Sequence, residues 1–212
     1  MVKVKICGIT NYEDAKCAVD LGADALGFIF AQSPRRIDPE GARHVITKLP
    51  PLVQTVGVFV DENIESILKI SEYCGIDLIQ LHGNEPPDLC RKLMPRTIKA
   101  FRLSGASSLK AIEAYRGTVR AFLFDTYQKG LKGGTGKTFD WNLAVEAKAI
   151  GPPIFLSGGL GPSNIEAAIS TVRPFAVDVN SGIEERPGKK NLDMMKTFIE
   201  RVNNINCNCS PG

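Results

Sequence analysis

Three side chains able to move protons stand at or near the ends of short apolar runs: Cys7 after VKVKI, Asp125 closing AFLFD, and Asp178 within FAVDV. A carboxyl that ends an apolar strand is partly desolvated, which raises its pKa and suits it to general-acid work. Asp125 fits that description and equally fits a loop-bracing aspartate. Asp178 carries the same ambiguity, and alternation turns it away from the face of Val177 and Val179. A thiol with a pKa of about 8.5 is a few per cent thiolate at neutral pH, so Cys7 reads as nucleophile, base or plain core residue. No histidine neighbours it in sequence, which argues against a Cys-His nucleophile.

A second group of residues suits anions. LSGGLGPSN (156–164) contains Gly158 and Gly159, and VNSGIE (179–184) contains Ser181 and Gly182. Glycine lets the backbone approach a ligand closely, and main-chain N–H groups at helix ends favour negative charge. The plainer reading is a pair of tight turns. Arg35 and Arg36 in SPRRI are either a solvated patch or, through one guanidinium, a clamp for a carboxylate. GGTGKT (133–138) ends like a nucleotide-binding loop, but that pattern needs Gly at position 131, which is Leu. The glycine- and lysine-rich stretch 127–138 reads instead as a flap over an anionic substrate.

The elements that must position these residues repeat regularly. Strand-like runs occur at 2–6, 25–30, 55–60, 77–82, 97–101, 121–125, 153–157 and 175–179. Between them apolar residues recur at helical spacing, as in Ala15, Ala18 and Val19 or Ile64, Ile67 and Leu68. Asn11, Asp38-Pro39, Asp61, Pro162-Ser163 and Asn191 supply helix-start signals. Alternating strands and helices predict a parallel sheet, and the apolar strands suit one buried on both faces. Eight such units in one chain favour a closed (β/α)8 TIM barrel over an open sheet. The first strand-helix turn, CGITNYEDA, also lacks the dinucleotide-binding glycine fingerprint. Catalytic residues of such a barrel gather at the C-terminal strand ends, with phosphate between the loops after strands seven and eight. Asp178 would then point into the barrel. We expect one domain over 1–205 and a flexible C-terminal tail over 206–212.

Bulk properties exclude several classes. A net charge of +3 is too small to argue for nucleic acid or a membrane surface. No apolar run approaches a membrane span, and MVKVKICGIT lacks a signal-peptide core, so a cytoplasmic location is expected. Two histidines, His44 and His82, and no C-x-x-C pair make a metal site improbable. Cys17, Cys74 and Cys90 read as core fillers in helices.

The motifs KICGIT, GADALGFIF, SPRRI, VGVFV, IQLHG, IKAF, FDT, GGTGKTFDW, LSGGL, VRPFAVDVNSGIE and PGKKN together resemble the phosphoribosylanthranilate isomerase family, in order and spacing. The resemblance covers nearly the whole chain. It implies a (β/α)8 barrel performing an Amadori rearrangement of a phosphosugar in tryptophan biosynthesis, without cofactor or metal, as a monomer or homodimer. It also implies Cys7 as general base, Asp125 as general acid and Arg35 on the anthranilate carboxylate. Gly158, Gly159, Ser181 and Gly182 would hold the phosphate, and Asp178 would help orient the substrate. Asn180 and Asn191 depart from the family's usual Ser and Asp. The competing readings are another phosphosugar barrel enzyme and a catalytically silent sugar-phosphate binder.

Overall fold

The computed structural model describes residues 1–103, 106–125 and 141–208. Its eight strands are β1 (Lys3–Cys7), β2 (Ala25–Ile29), β3 (Gln54–Phe59), β4 (Leu78–Leu81), β5 (Thr97–Arg102), β6 (Ala121–Asp125), β7 (Ile154–Ser157) and β8 (Ala176–Val179). Each pairs in parallel with the next, and β8 pairs back onto β1 (Lys5 opposite Asp178), closing a barrel. The helices are α1 (Tyr12–Asp20), α2 (Pro39–Ile46), α3 (Ile64–Cys74), α4 (Pro87–Lys92), α5 (Ala106–Glu113), α6 (Trp141–Ala147), α7 (Ile165–Val172) and α8 (Leu192–Asn208). The chain is a (β/α)8 TIM barrel. A short hairpin, β9 (Glu184–Arg186) and β10 (Lys189–Lys190), follows β8 and was not foreseen.

Alternation along the strands builds two cores. Ile6, Leu26, Phe28, Phe59, Ile79, Phe122, Phe124 and Val177 face outward and join the helices in one large cluster. Val56, Ile98, Ala100, Ala121, Leu123, Phe155 and Ala176 form a smaller cluster, which alternation puts inside the barrel. Cys74 and Cys90 are buried and Cys17 half-buried, filling the outer layer, and burial pushes the Cys90 thiol up to about 11.

Local signals start several helices as expected. Asn11 caps α1 by accepting from Asp14 N, and Asp38 caps α2 by accepting from Gly41 N, with Pro39 next. Asn191 Oδ1 accepts from Met194 N at 2.9 Å at the start of α8. Two starts fall later than expected. Asn63, not Asp61, caps α3, because Asp61 accepts from Asn84 N at 2.6 Å and so braces two loops together. Residue Asn164, beyond Pro162-Ser163, precedes α7. The last helix continues past the tail boundary expected at 205 and runs to Asn208. Asn206 Oδ1 accepts from Val2 N at 2.6 Å, and its Nδ2 donates to Val2 O at 3.0 Å, tying the last helix to the first strand.

Candidate active site

At the C-terminal mouth a cavity of about 590 Å³ opens. Cys7, Arg35, Asp125, Gly158, Gly159, Asp178, Ser181 and Gly182, the eight residues singled out from sequence, all line it. Topology explains the convergence. Cys7, Asp125 and Ser157 are the last residues of β1, β6 and β7, and in a closed barrel those ends lie around one rim. The flap expected at 127–138, with GGTGKT, lies outside the described residues.

Cys7 is only 4 % exposed. Burial, seconded by the Asp178 charge, pushes its thiol above the ordinary value, while Lys5 and Lys190 pull the other way. Lys5, two residues earlier on the same face of β1, is 1 % exposed, and its Nζ lies 2.7 Å from Asp178 Oδ1. Burial works against its charge, yet Asp178 and Cys7 together hold the ammonium above the usual lysine value. A Cβ on Gly27 would lie 2.8 Å from Cys7 Sγ and 3.1 Å from Lys5 Nζ, so glycine on β2 leaves room for both groups. Asp178 also accepts from Ser157 Oγ at 3.0 Å, which fixes its second oxygen.

Across the mouth, Asp125 Oδ2 stands 3.7 Å from His82 Nε2. Gln80 Nε2 stands 2.8 Å from His82 Nδ1, and donation from the amide selects the imidazole tautomer with its proton on Nε2, toward Asp125. Arg102 completes this side of the cavity.

The two glycine loops pack backbone against backbone. A Cβ on Gly182 would overlap Leu160 O, and one on Gly161 would come within 3.2 Å of Gly182 O. Gly158 and Gly159 have φ of 91° and 64°, the left-handed region that favours glycine. A 3-10 turn, Ser181–Ile183, starts directly over this junction, which matches the usual barrel phosphate site.

Arg35 lies over the end of β1. Its stem passes Gly8 (φ 73°), where a Cβ would lie 3.1 Å from Arg35 Cδ and 2.7 Å from Asn180 Oδ1. Its guanidinium is paired with Glu184, with Nη2 2.7 Å from Oε2. Lys190 Nζ contacts Asn180 Oδ1 at 3.0 Å and Glu184 Oε1 at 3.2 Å. Burial draws the Lys190 ammonium below the usual lysine value, although Glu184 and Cys7 oppose that. Burial alone would lift the Glu184 carboxyl, but Arg35 and Lys190 outweigh it and hold it below the usual range.

Sequence reasoning missed Lys5, Glu184 and Lys190. Lys5 had a readable signal, since a lysine at an inward position of a buried strand requires an acidic partner. No group of three or more His, Cys, Asp or Glu side chains is placed to hold a metal among the described residues.

Residues 4–201 match the family model for N-(5'-phosphoribosyl)anthranilate (PRA) isomerase. The N-(5'-phosphoribosyl)anthranilate isomerase of Moorella thermoacetica is 52% identical over 202 residues, covering 95% of this chain and 90% of the relative. A crystal structure of phosphoribosylanthranilate isomerase in complex with reduced 1-(o-carboxyphenylamino)-1-deoxyribulose 5-phosphate aligns with TM-score 0.87 at 45% identity, over 96% of this chain and 100% of the other. Generated monomers of the dimeric enzyme from Thermotoga maritima align with TM-score 0.85 at 44% identity, over 96% and 99% of the two chains. With its barrel, its rim of acid, thiol and arginine, and its paired glycine loops, the chain belongs to the phosphoribosylanthranilate isomerase family.

Proposed function

We propose that this chain isomerises N-(5-phosphoribosyl)anthranilate to 1-(2-carboxyphenylamino)-1-deoxyribulose 5-phosphate in tryptophan biosynthesis, with Cys7 as general base and Asp125 as general acid. One observation carries the assignment of roles: the thiol, the carboxyl, Arg35 and both glycine loops share a single cavity at the C-terminal mouth. The relative bound to the reduced product analogue supports a phosphosugar as the ligand.

The chemistry balances without an outside reagent. Asp125 gives its proton to the furanose ring oxygen as the C1–O bond breaks, leaving a protonated Schiff base. The Cys7 thiolate takes the proton from C2, and the enolamine forms. Tautomerisation then adds a proton at C1 and removes one from the C2 hydroxyl, giving the ketone. Backbone amides at Gly158, Gly159 and Gly182, with Ser181, grip the phosphate, and Arg35 takes the anthranilate carboxylate at the other end. Two remote charged grips hold the reacting carbons between acid and base, so binding energy serves orientation. Asp178, fixed by Lys5 and Ser157, stands beside Cys7 to orient the sugar hydroxyls.

Cys7→Ala and Asp125→Asn should each lower kcat by about 10² to 10⁴, measured by loss of anthranilate fluorescence with substrate generated in situ. Either variant turning over at the parent rate overturns its role.

A homodimer is supported by the dimeric Thermotoga maritima relative and by this chain's N-terminal face. There Leu52 (91 % exposed) and Phe175 (52 % exposed) flank a cavity of about 650 Å³. None of the helices among the described residues is long and apolar enough to cross a membrane, which fits the cytoplasmic location expected of a biosynthetic isomerase.

A further inference from the structure

The Glu184 carboxylate grips Arg35 along one edge only. Arg35 Nε lies 2.9 Å from Oε1 and 3.0 Å from Oε2, and Nη2 lies 2.7 Å from Oε2. Nη1 makes no hydrogen bond among the described residues. We propose that Glu184 is a positioning residue that clamps Arg35 side-on, so that the Nη1 edge is presented to the substrate's aryl carboxylate and selects carboxylated over neutral aryl amines.

Planarity makes this possible. The guanidinium carries five donors in a rigid fork, so one edge can be held while another still offers N–H groups to a second carboxylate. Glu184 is itself fixed. Its side chain is 4 % exposed, Lys190 Nζ and Gly188 N approach Oε1 at 3.2 and 3.3 Å, and it starts the β9–β10 hairpin. Thr10 Oγ1 donates to Gly188 O at 2.6 Å, pinning that hairpin's turn to the loop after β1. Arg35, 21 % exposed, keeps access to the cavity. The charges also permit it: Arg35 and Lys190 against Glu184 leave one positive charge for an incoming anion. A long flexible arginine thus loses its rotamer freedom in folding rather than in binding, the usual gain of a preorganised site.

The opposite role is equally concrete and has the opposite sign. Were Glu184 a competitor occupying Arg35, removing its charge would tighten binding of the carboxylate.

The inference rests on Arg35 as the carboxylate anchor, and the test separates the two. Dissociation constants are measured calorimetrically for the reduced carboxyphenylamino deoxyribulose phosphate and for its phenylamino counterpart lacking the carboxylate. Glu184→Gln should weaken the first probe about tenfold, the size of a lost charge-assisted contact, and leave the second unchanged. KM for substrate should rise accordingly, with kcat falling less. Unchanged or tighter binding of the carboxylated probe overturns the inference. Arg35→Ala should abolish the preference between probes. If it does not, the anchor itself fails; if it does while Glu184→Gln keeps the preference, only the clamp fails. Arg35→Lys provides a test that leaves Glu184 in place. Lysine keeps the charge without the fork, so it should lose the preference as alanine does, and a lysine variant that retains it overturns the clamp.

Discussion

As the proposed base, Cys7 sits in a setting that first opposes its ionisation. Burial and Asp178 lift the thiol pKa, and Lys5 and Lys190 limit the rise. A base of high pKa is scarce in its active form but strong once formed, which suits abstraction from carbon. The kcat/KM profile should therefore climb with pH on its alkaline side, following the small thiolate fraction. Lys5→Met removes a cation that favours the thiolate, so the climb should move to higher pH. An unmoved or lowered limb, read from rates across the alkaline range, would sink this account of Lys5. Because Lys5→Met also strands the buried Asp178 carboxylate, the pair Lys5→Met with Asp178→Asn tests the fold separately. From sequence, the places of Cys7 and Asp125 at strand ends were legible because each ends a run of apolar residues. The pairing of Lys5 with Asp178 beside Cys7 was not, since the two meet only when β8 closes onto β1.

At the scale of elements, the hairpin after β8 depends on one buried acid in the first helix. Asp14 Oδ1 lies 2.8 Å from Lys189 Nζ, its Oδ2 accepts from Lys190 N at 2.9 Å, and the side chain is 1 % exposed. Asp14→Ala leaves a buried backbone donor unpaired and should cost about 1–3 kcal/mol, read as a lower denaturation midpoint. Burial alone would raise the Asp14 carboxyl, but Lys189, the Lys190 amide and Asn11 outweigh it and hold it below the usual value. A depressed carboxyl stabilises the fold fully above its unfolded pKa, about 3.9, and loses that stabilisation as pH falls below it. The acid limb of the stability curve should thus be shallower in Asp14→Ala than in the parent. The same element scale shows why the starts of α1 and α2 could be read and that of α3 could not. Asn11 and Asp38 accept from the amide three residues on, a local event. Asp61 spends its carboxylate on Asn84, a contact that exists only once β3 and β4 are paired. β6 was read to the residue, because charges at Arg120 and Asp125 bound its apolar run.

At the scale of the whole molecule, the proposed chemistry and the proposed association surface lie at opposite ends of the barrel. The mouth with Cys7 and Asp125 is the C-terminal one, and Leu52 and Phe175 surround the N-terminal one. Leu52→Asp should shift sedimentation toward the monomer while leaving turnover within about twofold, as expected for a distant surface change. A dimer that survives this substitution would place the interface elsewhere. The barrel itself was legible from eight repeats, and so were the two glycine loops, whereas their backbone-to-backbone packing through Gly161 and Gly182 appears only in the folded chain.

The pair of hydrogen bonds between Val2 and Asn206 has a consequence for how the chain can be cut. It brings the start of the first strand and the last helix side by side on a closed ring of strands. Such a ring has no topologically privileged starting point. Linking the chain near Asn206 to the chain near Val2 and opening the α2–β3 connection near Leu52, on the face away from Cys7 and Asp125, would give a circular permutant. Every strand neighbour and the rim that carries the thiol and the acid would be retained in a different chain order.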